Sequence, residues 1–130
     1  MSKNPFQKYK NTSVESASKE KLLLMMYEGA IKYVKKAILA IEQGNIAERG
    51  INIGYAYDVI MELNNTLNHE VGGEVAMNLE QLYLFMTNEL IKANIKADKE
   101  KLQSVLKILE TLYEGWVQAI EKLKKEATAS

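Results

Sequence analysis

His69 is the only histidine in the sequence, so it alone has an ordinary pKa suited to moving protons near neutrality. A di-iron carboxylate bundle needs Glu-x-x-His motifs in pairs. Thr66 stands three residues before His69, and one histidine cannot furnish a pair. A phosphotransfer bundle needs an exposed histidine in mid-helix, whereas His69 falls beside a turn signal at Val71–Gly72–Gly73. There it reads as a capping or solvated residue. The glycines spell neither Gly-x-x-x-x-Gly-Lys-Ser/Thr nor Gly-x-Gly-x-x-Gly, so the chain carries no phosphate-cradling signature. The absence of cysteine removes disulfides and thiolate metal sites, and agrees with a reducing compartment. An enzyme is not expected, nor is a metal or a cofactor.

Charge points away from nucleic acid as well. The 17 basic residues are balanced by 17 acidic ones, whereas phosphate-backbone binding rests on an excess of cations gathered on one face. The densest basic stretch, Lys122 to Lys125, closes a helix, where cations suit the dipole. The N-terminus lacks a signal-peptide apolar core, and no apolar run approaches the roughly 20 residues of a membrane span. A cytoplasmic protein without membrane insertion is the expectation.

What remains is binding, and the elements that would present a binding surface are helices. The 130 residues suffice for one core, and 47% of them are hydrophobic. Pro5 is the single proline, which leaves the rest of the chain free of the strongest helix breaker. Residues 1–17 read as an extended arm with Phe6, Tyr9 and Val14 as its scattered apolar anchors. Ser18 is a natural N-cap, and Leu23, Tyr27, Ala30, Val34, Ala37, Ile38 and Ile41 then follow helical spacing up to Gly44. Asn45 and Glu48 approximate a capping box for a second helix, with Ile53, Ala56, Ile60, Leu63 and Leu67 as its stripe. Gly72 and Gly73 break the pattern. The third helix is expected from about Glu74 to Ile95, with Val75, Leu79, Leu82, Met86, Leu90 and Ala93 on its core face. Asp98 caps a fourth, whose seam is Leu102, Val105, Leu109, Leu112, Trp116, Ile120 and Leu123. Long helices joined by short breaks pack as antiparallel neighbours. The expected fold is all-α: an up-down-up-down four-helix bundle over residues 18–126, with an N-terminal arm before it and a frayed tail at 127–130.

Two of these helices carry more apolar residues than a core requires. Met77, Leu84 and Ile91 recur every seven residues on the third helix, and with Ile95 they lie about 160 to 200° from Val75. On the second helix Ile51, Tyr55 and Val59 recur every four residues, off the main stripe. Seven such side chains, each contributing roughly 1.5 to 3 kcal/mol on full burial, offer a gross gain on the order of 10 to 20 kcal/mol. Ordering a disordered ligand takes back about 2 to 5 kcal/mol of that. A partner-binding groove, a covering by the arm and a homodimer interface are all compatible with these stripes.

The order of several short pieces resembles the flagellin-specific export chaperones, the FliS family, over essentially the whole chain. The pieces are Asn4–Pro5–Phe6 with Tyr9 and Val14; Ala17–Ser18 leading to Leu22–Leu23–Leu24–Met25–Met26–Tyr27–Glu28–Gly29–Ala30; Gly72–Gly73–Glu74 before Asn78–Leu79; Leu82–Tyr83–Leu84–Phe85–Met86; Ala93–Asn94; and Trp116. Lys19 stands where the family usually has proline, and Tyr83–Leu84–Phe85 stands where Tyr-Asp-Tyr is commoner. The resemblance implies a cytosolic bundle that holds the disordered C-terminal segment of newly made flagellin, masks its polymerisation contacts and keeps it fit for type III export. It implies no nucleotide hydrolysis. It assigns a part in flagellin binding to the tyrosine of the arm, here Tyr9, and leaves room for other flagellar export components as partners. When free, the chain is expected to be a monomer or a weak homodimer, its arm partly covering the second and third helices. A homodimer that buries the same stripes is the alternative reading.

Overall fold

The computed structural model describes residues 18–129, and four helices follow one another there: α1 Lys19–Glu42, α2 Ile46–Asn65, α3 His69–Lys96 and α4 Lys99–Ala129. Each start is fixed by a short polar side chain that satisfies a backbone N–H left without an intrahelical partner. Ser18 Oγ accepts from Lys21 N–H at 3.2 Å, and Asn45 Oδ1 from Glu48 N–H at 3.1 Å. Asn68 Oδ1 accepts from Val71 N–H at 3.1 Å, and Asp98 Oδ1 from Lys101 N–H at 3.2 Å. The capping box expected at Asn45 is half made, because the Asn45 N–H turns back to Ala40 O at 2.8 Å. Gly44, at φ +68°, makes the reversal between α1 and α2.

The glycine pair does not end a helix. α3 begins five residues before Glu74 and crosses Gly72–Gly73 with a kink, Gly73 taking φ 50°, ψ −122°. That conformation is open to glycine and strained for other residues. A Cβ on Gly72 would stand 2.9 Å from Ala76 Cβ. His69 is the first residue of α3 and exposed, its Nε2 3.9 Å from a Glu80 carboxylate oxygen.

α1 packs on α2 and α4, and α3 packs on the same two, so the helices form a closed ring with α1 diagonal to α3. This is the four-helix bundle of the sequence reading. Its core is built from Tyr27, Ala30, Val34 and Ala37; Ile53, Ala56, Ile60 and Leu63; Met86, Leu90 and Ala93; and Leu102, Val105 and Leu109. Burying this set is the dominant favourable term in folding. Two residues of the expected core are corrected. Val75 and Leu123 have the right helical phase but are 64% and 61% exposed. Both lie past the ends of their neighbours: α2 stops at Asn65 and α1 starts at Lys19, while α4 runs through all 31 of its residues to Ala129. That end also takes in residues 127–129, which the sequence reading gave to a frayed tail.

The bundle is not purely apolar inside. The Tyr27 and Tyr83 hydroxyls are hydrogen-bonded to each other at its centre. Burial raises the pKa of Tyr27, with partial relief from hydrogen bonding to Tyr83 and from the nearby Trp116 indole. Burial raises that of Tyr83 too, further helped by its position beside Tyr27. Trp116 Nε1 is buried without a partner of hydrogen-bond geometry.

Candidate functional site

Helical phase decides which apolar residues the bundle leaves over. On α2 each step of four residues advances the side chain by about 40° around the axis. Ile51, Tyr55 and Val59 therefore rotate progressively inward: Ile51 is 48% exposed, Tyr55 is half-buried and Val59 is 0% exposed. Val59 belongs to the core, and its assignment as a partner-binding residue is corrected. Tyr55 points toward α1, its ring 5.1 Å from that of Tyr33. The opposite flank of α2 meets α3, where Arg49 Nε donates to Asn94 Oδ1 at 3.2 Å. Ile51 and Tyr55 thus look toward the α1 side, and they do not join the α3 stripe across the α2–α3 seam.

α3 is different. Seven of the eleven large hydrophobic residues exposed in the described part of the chain lie on this helix, so the surplus apolar surface is concentrated on one element. Met77, Leu84, Ile91 and Ile95 form its outward stripe, from 41% exposed at Leu84 to 73% at Ile95. The polar residues that share this outward face include Gln81 and Asn88, uncharged amides that a covering ligand would have to supply with hydrogen bonds. Phe85 widens the stripe toward α4. There a cavity of about 370 Å³ opens between the helices, with Leu82, Ile108 and Leu112 in its lining. A further apolar cavity of about 340 Å³ lies beside the α3 kink, where Leu23, Leu67, Val75, Leu79 and Trp116 converge.

Phe85 and the α3–α4 cavity were not singled out by sequence reasoning. The unbroken run Leu82–Tyr83–Leu84–Phe85–Met86 was the signal, since a five-residue apolar run covers more of the helix than one core can bury. Phe6, Tyr9 and Val14 lie outside the described residues.

Among the described residues no three His, Asp or Glu side chains gather as a metal site. No helix described is long and apolar enough to cross a membrane. Away from α3, the Tyr113 hydroxyl donates to a Glu28 carboxylate between α4 and α1. That bond raises the tyrosine's pKa above its usual 10.0, with partial burial and the Glu28 and Glu114 charges adding to the effect. In a spectrophotometric pH titration Tyr113 is expected to ionise above pH 10, and Glu28→Ala to bring its midpoint down toward the ordinary value. An unmoved midpoint would show that the bond does not persist in solution.

The described residues form a helical bundle with one long uncovered apolar helix face, the kind of surface to which a protein partner can dock. Residues 2–123 match the sequence model of the family described as flagellar protein FliS. A flagellar secretion chaperone FliS from Vibrio cholerae is 40% identical over 116 residues, spanning 86% of this chain and 85% of that protein. One from Bacillus subtilis is 33% identical over 127 residues, 98% of this chain and 94% of the other. One from Salmonella typhimurium is 34% identical over 112 residues, 85% and 83% of the two chains. The chain belongs to the FliS family, a family of chaperones and not of enzymes.

Proposed function

We propose that this chain is a cytoplasmic export chaperone that holds the disordered C-terminal segment of flagellin against α3. The observation that carries the proposal is the uncovered stripe Met77–Leu84–Ile91–Ile95, flanked by Phe85 and the cavity toward α4. A segment that folds into an amphipathic helix on this face would cover the stripe with its own apolar side. It would then be withheld from its neighbours in the filament until it is handed to the type III secretion machinery. The exposed apolar surface of this face, together with the apolar side of the ligand, is what must offset the roughly 2 to 5 kcal/mol of ordering such a segment and the further cost of association. Met77 lends tolerance, because an unbranched thioether repacks against ligands of varied shape. By resemblance to the family, Tyr9 of the arm contributes to the same binding, with Phe6 and Val14 beside it.

Calorimetric titration with a peptide from the C-terminal region of the cognate flagellin tests this. One-to-one binding, a large negative heat-capacity change and a gain of helicity by circular dichroism are expected. Absence of binding at high micromolar peptide would end the proposal. A concentration-dependent dimer in sedimentation equilibrium, dissolved by Leu84→Asp, would put the stripe to work in self-association instead.

A further inference from the structure

The face between α1 and α4 carries a second groove that the client proposal leaves unused. It runs between α1 and α4, encloses about 800 Å³ and extends from Glu28 to Leu39 on α1. At 1.5 Å per residue that stretch is about 16 Å, three turns of helix. Ile31, Leu39 and Tyr113 supply its apolar surface, and Leu39 is half-exposed. Its walls are charged, and the charges differ between them. Lys32, Lys35 and Lys36 dominate the α1 side, where the single acid, Glu28, is held by the Tyr113 hydroxyl at one end, and Glu110 and Glu114 stand on the α4 side. The one ion pair across it, Lys35 Nζ to Glu110 Oε2 at 3.8 Å, joins two largely solvated side chains and is a weak latch.

We infer that this groove docks an amphipathic helix from a second protein, other than the secreted client: a helix with an apolar stripe, one acidic edge and one basic edge. An occupant with like charges on both edges would be repelled by one wall, whereas opposite edges meet both. The occupant is helical because the walls offer side chains only. An extended strand would leave backbone N–H and C=O groups facing apolar surface without partners, while a helix satisfies its own and packs ridge into groove. A second copy of this chain fits less well, because it would present a groove to a groove and fill neither. Since α1 is diagonal to α3, and the groove takes Glu110, Tyr113 and Glu114 from α4 where the client-side cavity takes Ile108 and Leu112, the helix and the client would be bound at once. Only that simultaneity rests on the client proposal; occupation of the groove does not.

The probe is a fluorescein-labelled amphipathic peptide of about 18 residues with a leucine stripe, a glutamate edge and a lysine edge, titrated against the full chain by anisotropy. The mixed-edge peptide is expected to bind about tenfold more tightly than versions with two lysine or two glutamate edges, with the preference shrinking at high salt. Lys32→Glu with Lys36→Glu should weaken it about tenfold, and Leu39→Asp at least as much, while Leu84→Asp leaves it unchanged. These positions are exposed or half-exposed, so the bundle should stay folded, as circular dichroism would verify. Four results would overturn the inference: no binding at about 1 mM, indifference to the edge charges, indifference to the lysine reversals, or loss of binding on Leu84→Asp. A free chain that sediments as a dimer and becomes monomeric on the lysine reversals would overturn it too, by giving the groove to a second copy. Loss of flagellin-peptide binding in Leu84→Asp with groove binding intact would separate the two surfaces.

Discussion

Leu84→Asp combined with Ile91→Asp is expected to weaken binding of the flagellin C-terminal peptide about a hundredfold or more, in a chain that remains helical and cooperative in urea. Val59→Asp, one helix away, is expected to destabilise the fold strongly. The two outcomes follow from one physical difference. At Leu84 and Ile91 the aspartate is solvated in the free protein and costs the fold little. In the complex it would have to be buried against an apolar ligand, forfeiting about half of the roughly 1.5 to 3 kcal/mol of full burial at each site, since each residue is already partly covered in the free chain, and adding desolvation. About 2.7 kcal/mol is already a hundredfold in affinity. Val59 is fully enclosed. A carboxyl there loses the valine's packing and lacks a partner, a combined cost of about 4 to 5 kcal/mol against a typical total stability of 5 to 15 kcal/mol. Urea unfolding and calorimetry on the same samples read both effects. A Leu84 and Ile91 double variant that is folded and binds normally would remove the client from this face. One that unfolds would mean that the stripe is core.

The contrast between Val59 and Leu84 also marks what the sequence could tell. Caps were legible at Ser18, Asn45 and Asp98, because a side chain bonding to a nearby backbone N–H is a local event. So was the phase of the core on α1 and along most of α4, where a single stripe is buried. Coverage was not, because periodicity says which way a residue points and not whether a neighbour extends that far; Val75 and Leu123 point inward at places where α2 and α1 have ended. The identity of the flanking neighbour was equally hidden. Nothing local says that Tyr55 meets Tyr33 while Arg49 meets Asn94, and those contacts divide the α2 residues from the α3 stripe. The start of α3 was missed because a glycine pair that breaks a regular helix can also serve as its kink, given an upstream cap at Asn68.

The buried tyrosine pair should make the fold sensitive to alkali. Both hydroxyls are raised above the ordinary tyrosine value, first by burial. The sign follows from proton counting. Above pH 10 the unfolded chain releases these protons while the folded chain keeps them, so the unfolded state binds fewer and stability falls as pH rises. The loss begins near pH 10 and continues toward the folded values, at about 1.4 kcal/mol per pH unit for each hydroxyl. Urea midpoints measured from pH 8 to 12 should therefore hold below pH 10 and drop steeply above it. Tyr83→Phe alone should cost about 1 to 3 kcal/mol at pH 7, because the Tyr27 hydroxyl is left in the core without its hydrogen-bond partner. Adding Tyr27→Phe should restore most of that loss, since two apolar rings leave no hydroxyl to satisfy, and it should flatten the alkaline drop. Additive costs for the two substitutions, or an alkaline drop unchanged in the double variant, would show that the hydroxyl pair does not govern this behaviour. The double variant should still bind the flagellin peptide, because neither hydroxyl reaches the exposed face of α3.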